Sequence, residues 1–514
     1  MTRMTKTGRK NNHCQAILNQ AQSLIERVEQ AYQQREAVHE LERGLFSQLL
    51  RIGDQLLGLF FELHGSGDQG AQLTLSDGQS VKRLSPLHTR AYQSIFGEYQ
   101  LQRAVYGSRE GQKIAYVPLD AQLQLPASKF SYLLQEWDQG LAVEQPYLQV
   151  NDTIERILGL KQSVHSLERI NAQLSDSVEA FWDAHRPAPL AQAHELVVCS
   201  ADAKGVVIRA AGAGQGAASG PAIAVDKTAR QSDGKKMALI GAVYTVAPYR
   251  RTPEQMLEAL FASSRTHPDL TPPPRPKPVA KYVRASLSRD AQDSMAPSYG
   301  CIFSWLADQY QQRDPHGQQP LVVLMDGQKS LWASAKQHFA DASYVEILDL
   351  MHALGYLWDA AELFYPANAK SQRLSFVQHQ TRRLLGGQVQ TVIRSLCGQS
   401  RLLRPNQREA LTDIVRYFRN NADRMHYDQY LQAGYPIASG VIEGACRHVV
   451  CDRMERSGMR WVIAGAEAML KLRCIGINQD WDQFMAFHIA REQQRLYSLR
   501  PANDGHFCQL PLAA

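Results

Sequence analysis

The stretch Leu196-Val197-Val198-Cys199-Ser200-Ala201-Asp202 decides the fold, together with its counterpart Leu321-Val322-Val323-Leu324-Met325-Asp326-Gly327. Each is a short apolar run that arrives at an aspartate. Unbroken apolar runs of this length suit strands covered on both faces. Outward from the first, Gly205-Val206-Val207-Ile208-Arg209 is expected as a second strand after a tight turn, and residues 237–246 as a third. The Gly/Ala-rich residues 210–220 read as a mobile loop, and Pro272-Pro273-Pro274-Arg275-Pro276-Lys277-Pro278 as an extended surface segment. A helix is expected near 254–264, with more helical sequence before the fourth strand at Leu321. Tyr344-Val345-Glu346-Ile347-Leu348-Asp349 makes the fifth strand. Residues 352–432 are helical by period. Gly434-Tyr435-Pro436 then breaks the chain, and a helix carrying Glu443 begins near Ser439.

Three strands in succession, then strand, helix and strand, then a distant acidic helix, outline an α/β fold with a ribonuclease H-like catalytic core. In that topology the first and fourth strands are neighbours. Asp202 and Asp326 would lie on one sheet edge, with Glu443 approaching from the later helix. Three carboxylates held close repel one another unless cations neutralise them. Hard oxygen ligands select Mg²⁺ or Mn²⁺. Two such ions can activate a water or a 3′-hydroxyl and stabilise the leaving oxygen of an in-line phosphoryl transfer. Asp202, Asp326 and Glu443 are therefore the expected catalytic and metal-binding residues. Arg447, Arg453, Arg456 and Arg460 follow Glu443 closely, and with His448 and Lys204 they are expected to hold DNA phosphates. Lys227, Lys235, Lys236 and Lys329 extend that set.

The 514 residues are 44% hydrophobic and 21% charged, which suits an ordinary globular chain of about three domains. The longest apolar runs, such as Leu56-Leu57-Gly58-Leu59-Phe60-Phe61, are far short of a membrane span. Residues 1–10 are basic with no apolar run behind them, so no secretory leader is expected. The charge of 56 − 50 = +6 is compatible with a nucleic-acid partner. Eight scattered cysteines without a C-x-x-C pair suggest reduced thiols and a cytoplasmic protein. Cys446, His448 and Cys451 lie close together but lack a second pair at finger spacing, so buried thiols are expected there rather than zinc.

Before the sheet, residues 14–64 carry an apolar stripe at three- and four-residue steps, for one long amphipathic helix or two consecutive ones. That stripe is either internal packing or a coiled-coil seam for self-association. Asp77-Gly78 between Leu73-Thr74-Leu75 and Val81-Lys82-Arg83 signals a hairpin. Residues 99–106 and 113–117 flank a second turn. Asn151-Asp152 can cap a helix reaching Leu158, and Gly159 turns into a second helix at 163–174 carrying His165, Glu168 and Arg169. This is either a helix-turn-helix or a structural helical hairpin.

Ser200-Ala201-Asp202-Ala203-Lys204-Gly205, Leu324-Met325-Asp326-Gly327, the run from Gly434 to His448, and Asp452-Arg453-Met454-Glu455-Arg456-Ser457-Gly458-Met459-Arg460-Trp461 resemble bacterial insertion-sequence transposases of the ISKra type. The resemblance covers most of the chain, and residues 434–461 are its most specific part. It implies a DDE triad of Asp202, Asp326 and Glu443, double-stranded DNA partners (terminal inverted repeats and target DNA), and a homo-oligomer on DNA. The family usually has glycine after the first aspartate, where this chain has Ala203. Asp349-Leu350-Met351-His352 is similar to the D-x-x-H motif of Mutator-like and hAT-like transposases, which lies near the active site and the DNA. Asp349 and His352 are on that ground candidate DNA-binding residues, and the plain alternative is a helix cap with a neighbouring histidine. The helical stretch 352–432 resembles the all-α insertion of those enzymes.

The expected organisation is thus 1–66 helical, 67–128 a small β-rich element, 129–190 helical, 191–351 the first part of the core, 352–432 the insertion, and 433–514 the Glu-bearing helix and tail. Three alternatives stay open. One is a ribonuclease H-like nuclease or resolvase that only hydrolyses. Another is a non-catalytic DNA-binding regulator. A phosphatase using Asp326 is disfavoured, because Gln328 stands where a second acid belongs.

Overall fold

The computed structural model describes residues 6–109, 114–185, 189–209, 234–261 and 275–498. Lys227, the 210–220 segment and residues 271–274 lie outside the described residues. The chain divides into two units: one of residues 1–177 with 481–514, the other of residues 178–480. The closing helix therefore groups with the N-terminal unit, not with the sheet as expected.

In the first unit the apolar stripe forms two helices, α1 (Lys6–Gln34) and α2 (Val38–His64). Arg35, at φ 49°, breaks them, and Arg27 bonds Glu36 across the break. Strands β1 (Gln72–Thr74), β2 (Ser80–Gln93) and β3 (Glu98–Gly107) make an antiparallel sheet. The expected hairpin is present, with Gly78 at φ 83° and Asp77 accepting from the Gln79 N–H. Residues 114–117 contribute one bridge, Tyr106 to Tyr116, rather than a strand. After α3 (Pro118–Gln122) come α4 (Tyr132–Ala142), α5 (Tyr147–Leu158) and α6 (Val164–Ser175). Asn151 and Asp152 lie inside α5, not at its cap, because the cap falls at Pro146, five residues before Asn151. Gly159, at φ 71°, ends it, and Ser163 caps α6.

Asp138 of α4 is fully buried and accepts from Gln162 Nε2 at 2.9 Å. Burial pushes its carboxyl up to about 7. The unfolded carboxyl loses its proton near pH 4. The stability this group contributes is therefore complete below about pH 4 and is lost as pH rises through about 7. The loss is at most about 4 kcal/mol. We expect the thermal midpoint of this unit to fall between pH 5 and 8, and Asp138→Asn to flatten that slope; an equally steep slope in the variant would place the cause elsewhere.

The second unit opens with α7 (Val178–Ala184) and is built on a five-stranded mixed sheet in an α/β arrangement. Its strands are β4 (Leu196–Ile208), β5 (Gly234–Val246), β6 (Val279–Ser286), β7 (Leu321–Met325) and β8 (Tyr344–Leu348), in the order β6-β5-β4-β7-β8. β4 is antiparallel to β5 and parallel to β7, and β8 is parallel to β7. Two expectations are corrected here. No turn divides residues 202–205: β4 runs unbroken, paired to β5 from Leu196 opposite Val246 to Ile208 opposite Gly234. The third strand is β6, where the sequence was expected to be helical.

Side chains alternate across the sheet. Val197, Cys199, Ala201, Leu321, Val323 and Met325 pack against α9 (Ala296–Arg313) and α10 (Lys329–His338). Leu196, Val198, Val322 and Leu324 face a helical layer on the other side. That layer holds α11 (Leu350–Phe364), α12 (Lys370–Leu385), α13 (Val389–Gln399), α14 (Pro405–Asn420) and α15 (Tyr427–Ala433). α8 (Pro253–Phe261), placed in sequence before β6, also packs on this side through Met256, Leu257, Leu260 and Phe261. Each fully buried Val or Leu of these two cores contributes about 1.5–3 kcal/mol. Beyond lie α16 (Gly440–Cys446), a π-turn (Arg447–Cys451), α17 (Asp452–Met454) and α18 (Ile463–Ile477), and α19 (Trp481–Leu496) returns to the first unit. Among the described residues, no helix is long and apolar enough to cross a membrane.

Candidate functional site

β4 and β7 pair only over Val197–Leu321, Val198–Val322 and Cys199–Val323, then part. The offset is 124 residues at each pair, and 326 − 202 is also 124. Asp202 and Asp326 thus stand in matching register, three residues past the last pair. Both fall on the face carrying Val198 and Val322, toward the α11 layer. The gap where parallel strands part at their carboxyl ends is where α/β sheets hold ligands.

Asp326 Oδ1 accepts the Gln328 N–H at 2.9 Å, and its carbonyl accepts Trp332 Nε1 at 2.7 Å. A Cβ at Gly327 would run into the Tyr417 ring, so only glycine fits after this aspartate. The Asp326 carboxyl is raised by burial first and then by the Asp202 and Asp349 charges, against the Gln328 N–H and His352. Asp202 is half-buried, with Oδ1 near the Ala203 N–H at 2.7 Å and Oδ2 accepting the Cys446 thiol at 3.4 Å. Ala203 is extended backbone without positive φ, so alanine costs nothing here.

Asp349 is fully buried and caps α11. Its Oδ1 accepts the N–H of Met351 and of Ser439, each at 3.1 Å. Its Oδ2 accepts His352 Nδ1 at 2.7 Å and Ser439 Oγ at 2.8 Å. Burial alone would raise this carboxyl, but the bonds from His352, Ser439 and Met351 together lower it. The hydrogen bond to Asp349, opposed by burial and helped by the Asp349, Asp326 and Asp202 charges, pushes the His352 imidazole up to about 9. Ser439 directly precedes α16, so Asp349 ties the end of β8 to the start of the Glu443 helix. The Leu350 N–H to Ile437 carbonyl bond, at 2.9 Å, reinforces that tie.

Among the described residues, the trio gathered within 4.8 Å is Asp349, His352 and Glu443, and it can hold a metal ion. Asp349 would have to surrender existing bonds to do so, since its oxygens already accept four. Glu443 is exposed and shares a cavity of about 350 Å³ with His352, Tyr356 and Asp359. Asp202 and Asp326 stand apart from that trio but are linked to it through the field on His352. Among the described residues, none of Asp202, Asp326 and Glu443 is ion-paired to Lys or Arg. Unneutralised hard oxygens of this kind suit a divalent cation.

The basic residues divide. Arg447 is exposed and lies 3.7 Å from Asp452. His448 Nδ1 is 2.8 Å from the same carboxylate. Lys204, on β4, faces Cys446 and Cys451 closely enough to oppose the rise of both thiols. Arg456 and Arg460 are exposed. Arg453 is a correction: it is fully buried, donates to Met459 Sδ at 3.2 Å and lies over the Trp461 ring at 5.1 Å. No phosphate reaches it there. Asp349 is a second correction, because a buried, fully bonded carboxylate offers nothing to DNA. Sequence reading missed Ser439 and the stacked rings of Tyr356 and Tyr417, with centroids 3.8 Å apart. Serine just before the Glu443 helix reads in sequence as a helix cap, but its hydroxyl donates to Asp349 instead of capping α16; the tyrosines carried no signal. In comparisons with known proteins, no family model and no curated protein matches this chain.

Proposed function

We propose that the chain is a DDE-type DNA transposase on a ribonuclease H-like core, cutting the ends of an insertion sequence and joining them to target DNA. The shared register of Asp202 and Asp326 at the parting of β4 and β7 carries this reading. The strand order β6-β5-β4-β7-β8, three antiparallel strands followed by two parallel ones, and the α11–α15 layer as an insertion before Glu443, support the same core. Asp202, Asp326 and Glu443 would hold two Mg²⁺ or Mn²⁺ ions. Those ions would supply activation of the attacking water or 3′-hydroxyl and charge relief at the leaving oxygen. The chain's own part is to present the carboxylates and to seat the duplex, with Arg447, Arg456, Arg460, His448 and Lys204 toward the phosphates. His352, anchored on Asp349, adds positive charge beside Asp326.

The test is incubation with the flanking DNA of its own locus and Mg²⁺, with products sized on a denaturing gel. We expect cuts at the element ends followed by joined products. Hydrolysis without joining would move the assignment to a nuclease, and no cleavage at all to a DNA-binding regulator.

Joining two ends calls for two copies, and α1 and α2 supply a surface for that. Leu18, Ile25 and Tyr32 recur every seven residues and are 61%, 56% and 85% exposed. Leu49, Leu56 and Leu63 repeat the spacing on α2 with half or more of each exposed. A seven-residue apolar repeat left in water suits a coiled-coil seam with a second chain. We expect Ile25→Glu with Leu56→Glu to halve the mass seen by light scattering; an unchanged mass would leave the stripe without this role.

A further inference from the structure

One turn before Glu443, on α16, Gly440 and Val441 form part of the wall of a separate cavity of about 440 Å³. That size is within the range of small-molecule sites. Its other walls come from the end of β5, the segment after it, and the Arg275-Pro276-Lys277-Pro278 stretch that leads into β6. The prolines hold that stretch extended, so the two cationic side chains are presented with little freedom to lose.

Three cations line the cavity, Arg251, Arg275 and Lys277, and among the described residues no Asp or Glu does. Arg251 is fixed: Nη2 donates to the Tyr435 carbonyl at 2.7 Å and Nε to the Tyr249 carbonyl at 3.0 Å, with the guanidinium over the Tyr249 ring at 5.2 Å. Burial, with the Arg275 charge beside it, lowers Arg251 to about 10. Two guanidiniums lining one cavity with no carboxylate in its wall among the described residues repel unless an anion joins them. The rest of the wall is apolar or aromatic and includes Tyr244, which is almost fully buried. A lining that combines cations with aromatic and apolar side chains suits the two parts of a nucleotide, its phosphate and its base.

We propose that this cavity takes one nucleotide of a single DNA strand, its phosphate on Arg275 and Lys277 and its base against the Tyr244 side. The inference rests on the transposase reading and deepens it: a strand leaving the Glu443 region reaches the cavity within one helical turn. A duplex nucleotide would have to be unpaired to enter, at a cost of a few kcal/mol that an already single-stranded end does not incur.

The test is fluorescence anisotropy of the whole chain with a labelled oligothymidylate in EDTA, across a salt series. The double variant Arg275→Ala, Lys277→Ala should lower affinity at least about tenfold and reduce the salt slope by about 0.7, the value for one lost phosphate contact on a single strand. Ala247→Trp, at an exposed lining position, should fill the cavity and lower affinity while leaving the slope unchanged, with circular dichroism confirming the fold. Thymidine monophosphate should displace the probe at concentrations where inorganic phosphate does not. Full affinity in the Ala247→Trp chain, or phosphate competing as well as the nucleotide, would overturn the proposal. Binding is read without Mg²⁺ and without cleavage. A chain that failed to cut DNA would leave this result standing, and loss of the cavity's role would leave the carboxylates' assignment untouched.

Discussion

Asp326→Asn should abolish DNA cleavage while leaving DNA affinity equal or higher. The change is isosteric, and the Asn Oδ1 can still accept the Gln328 N–H that positions the side chain. What is lost is charge at the one position matched in register to Asp202. A neutral amide ligates Mg²⁺ far more weakly than a carboxylate and offers no charge to hold a second ion. A single preorganised donor at a reacting oxygen is worth about a hundred- to a thousandfold in rate. Loss of a metal ligand should cost on the order of a thousandfold or more. Binding moves the other way, because a negative charge facing phosphates is removed. Denaturing gels with Mg²⁺ read the first effect and anisotropy the second. Replacing Mg²⁺ by Ca²⁺ in the wild-type chain should reproduce the pattern, binding with little chemistry, because looser coordination misplaces the oxygens. Wild-type cleavage by Asp326→Asn would remove Asp326 from the chemistry.

The two aspartates were legible because each ends an apolar run, and a run buried on both faces has few alternatives to a strand. The number of strands was legible for the same reason, but two of the five were misplaced. Gly205 looked like a turn, yet in the centre of a sheet it pairs opposite Met237 like its neighbours. β6, with Lys281 and Arg284 in it, was hidden inside the helical sequence read after the proline run. Arg284 is in fact half-buried, its guanidinium over Trp182 at 4.1 Å and over Trp305 at 5.2 Å. No local pattern announces such a partner, because the two rings lie far off in sequence. Arg453 misled in the same way, since an arginine among arginines suggests a phosphate grip until Trp461 folds over it. The start of the Glu443 helix near Ser439 was within reach of sequence. The bond from Ser439 to Asp349, 90 residues away, was not.

Asp349→Ala should produce the largest loss of stability of any single change at the site. The carboxylate is fully buried and accepts four bonds, from Met351, His352 and both donors of Ser439. Alanine removes the α11 cap, which alone is worth about 0.5–2 kcal/mol. It also leaves the Ser439 N–H and hydroxyl buried without an acceptor and the imidazolium without its counter-charge. His352 is exposed, so its imidazolium stays hydrated when the partner is lost. The buried Ser439 donors dominate, at about 1–3 kcal/mol for each left unsatisfied, and a loss of that order beyond the cap is expected in the thermal unfolding of the sheet-bearing unit. The His352 midpoint, followed by NMR, should drop from about 9 toward its ordinary value. The part of the loss that depends on that proton has a defined sign. The folded imidazole holds its proton to a higher pH than the unfolded one, so its contribution is complete below about pH 6.5 and is lost as pH rises through about 9. The gap between wild type and Asp349→Ala should therefore be widest in mild acid and narrow in base. Asp349→Asn separates the two components, because its amide oxygen can still cap α11 through Met351 while the charge is gone. We expect it to recover the cap's share of stability and none of the pH dependence. A gap that stayed constant from pH 6 to 10 would show that Asp349 holds the Glu443 helix through Ser439 alone, with His352 a bystander.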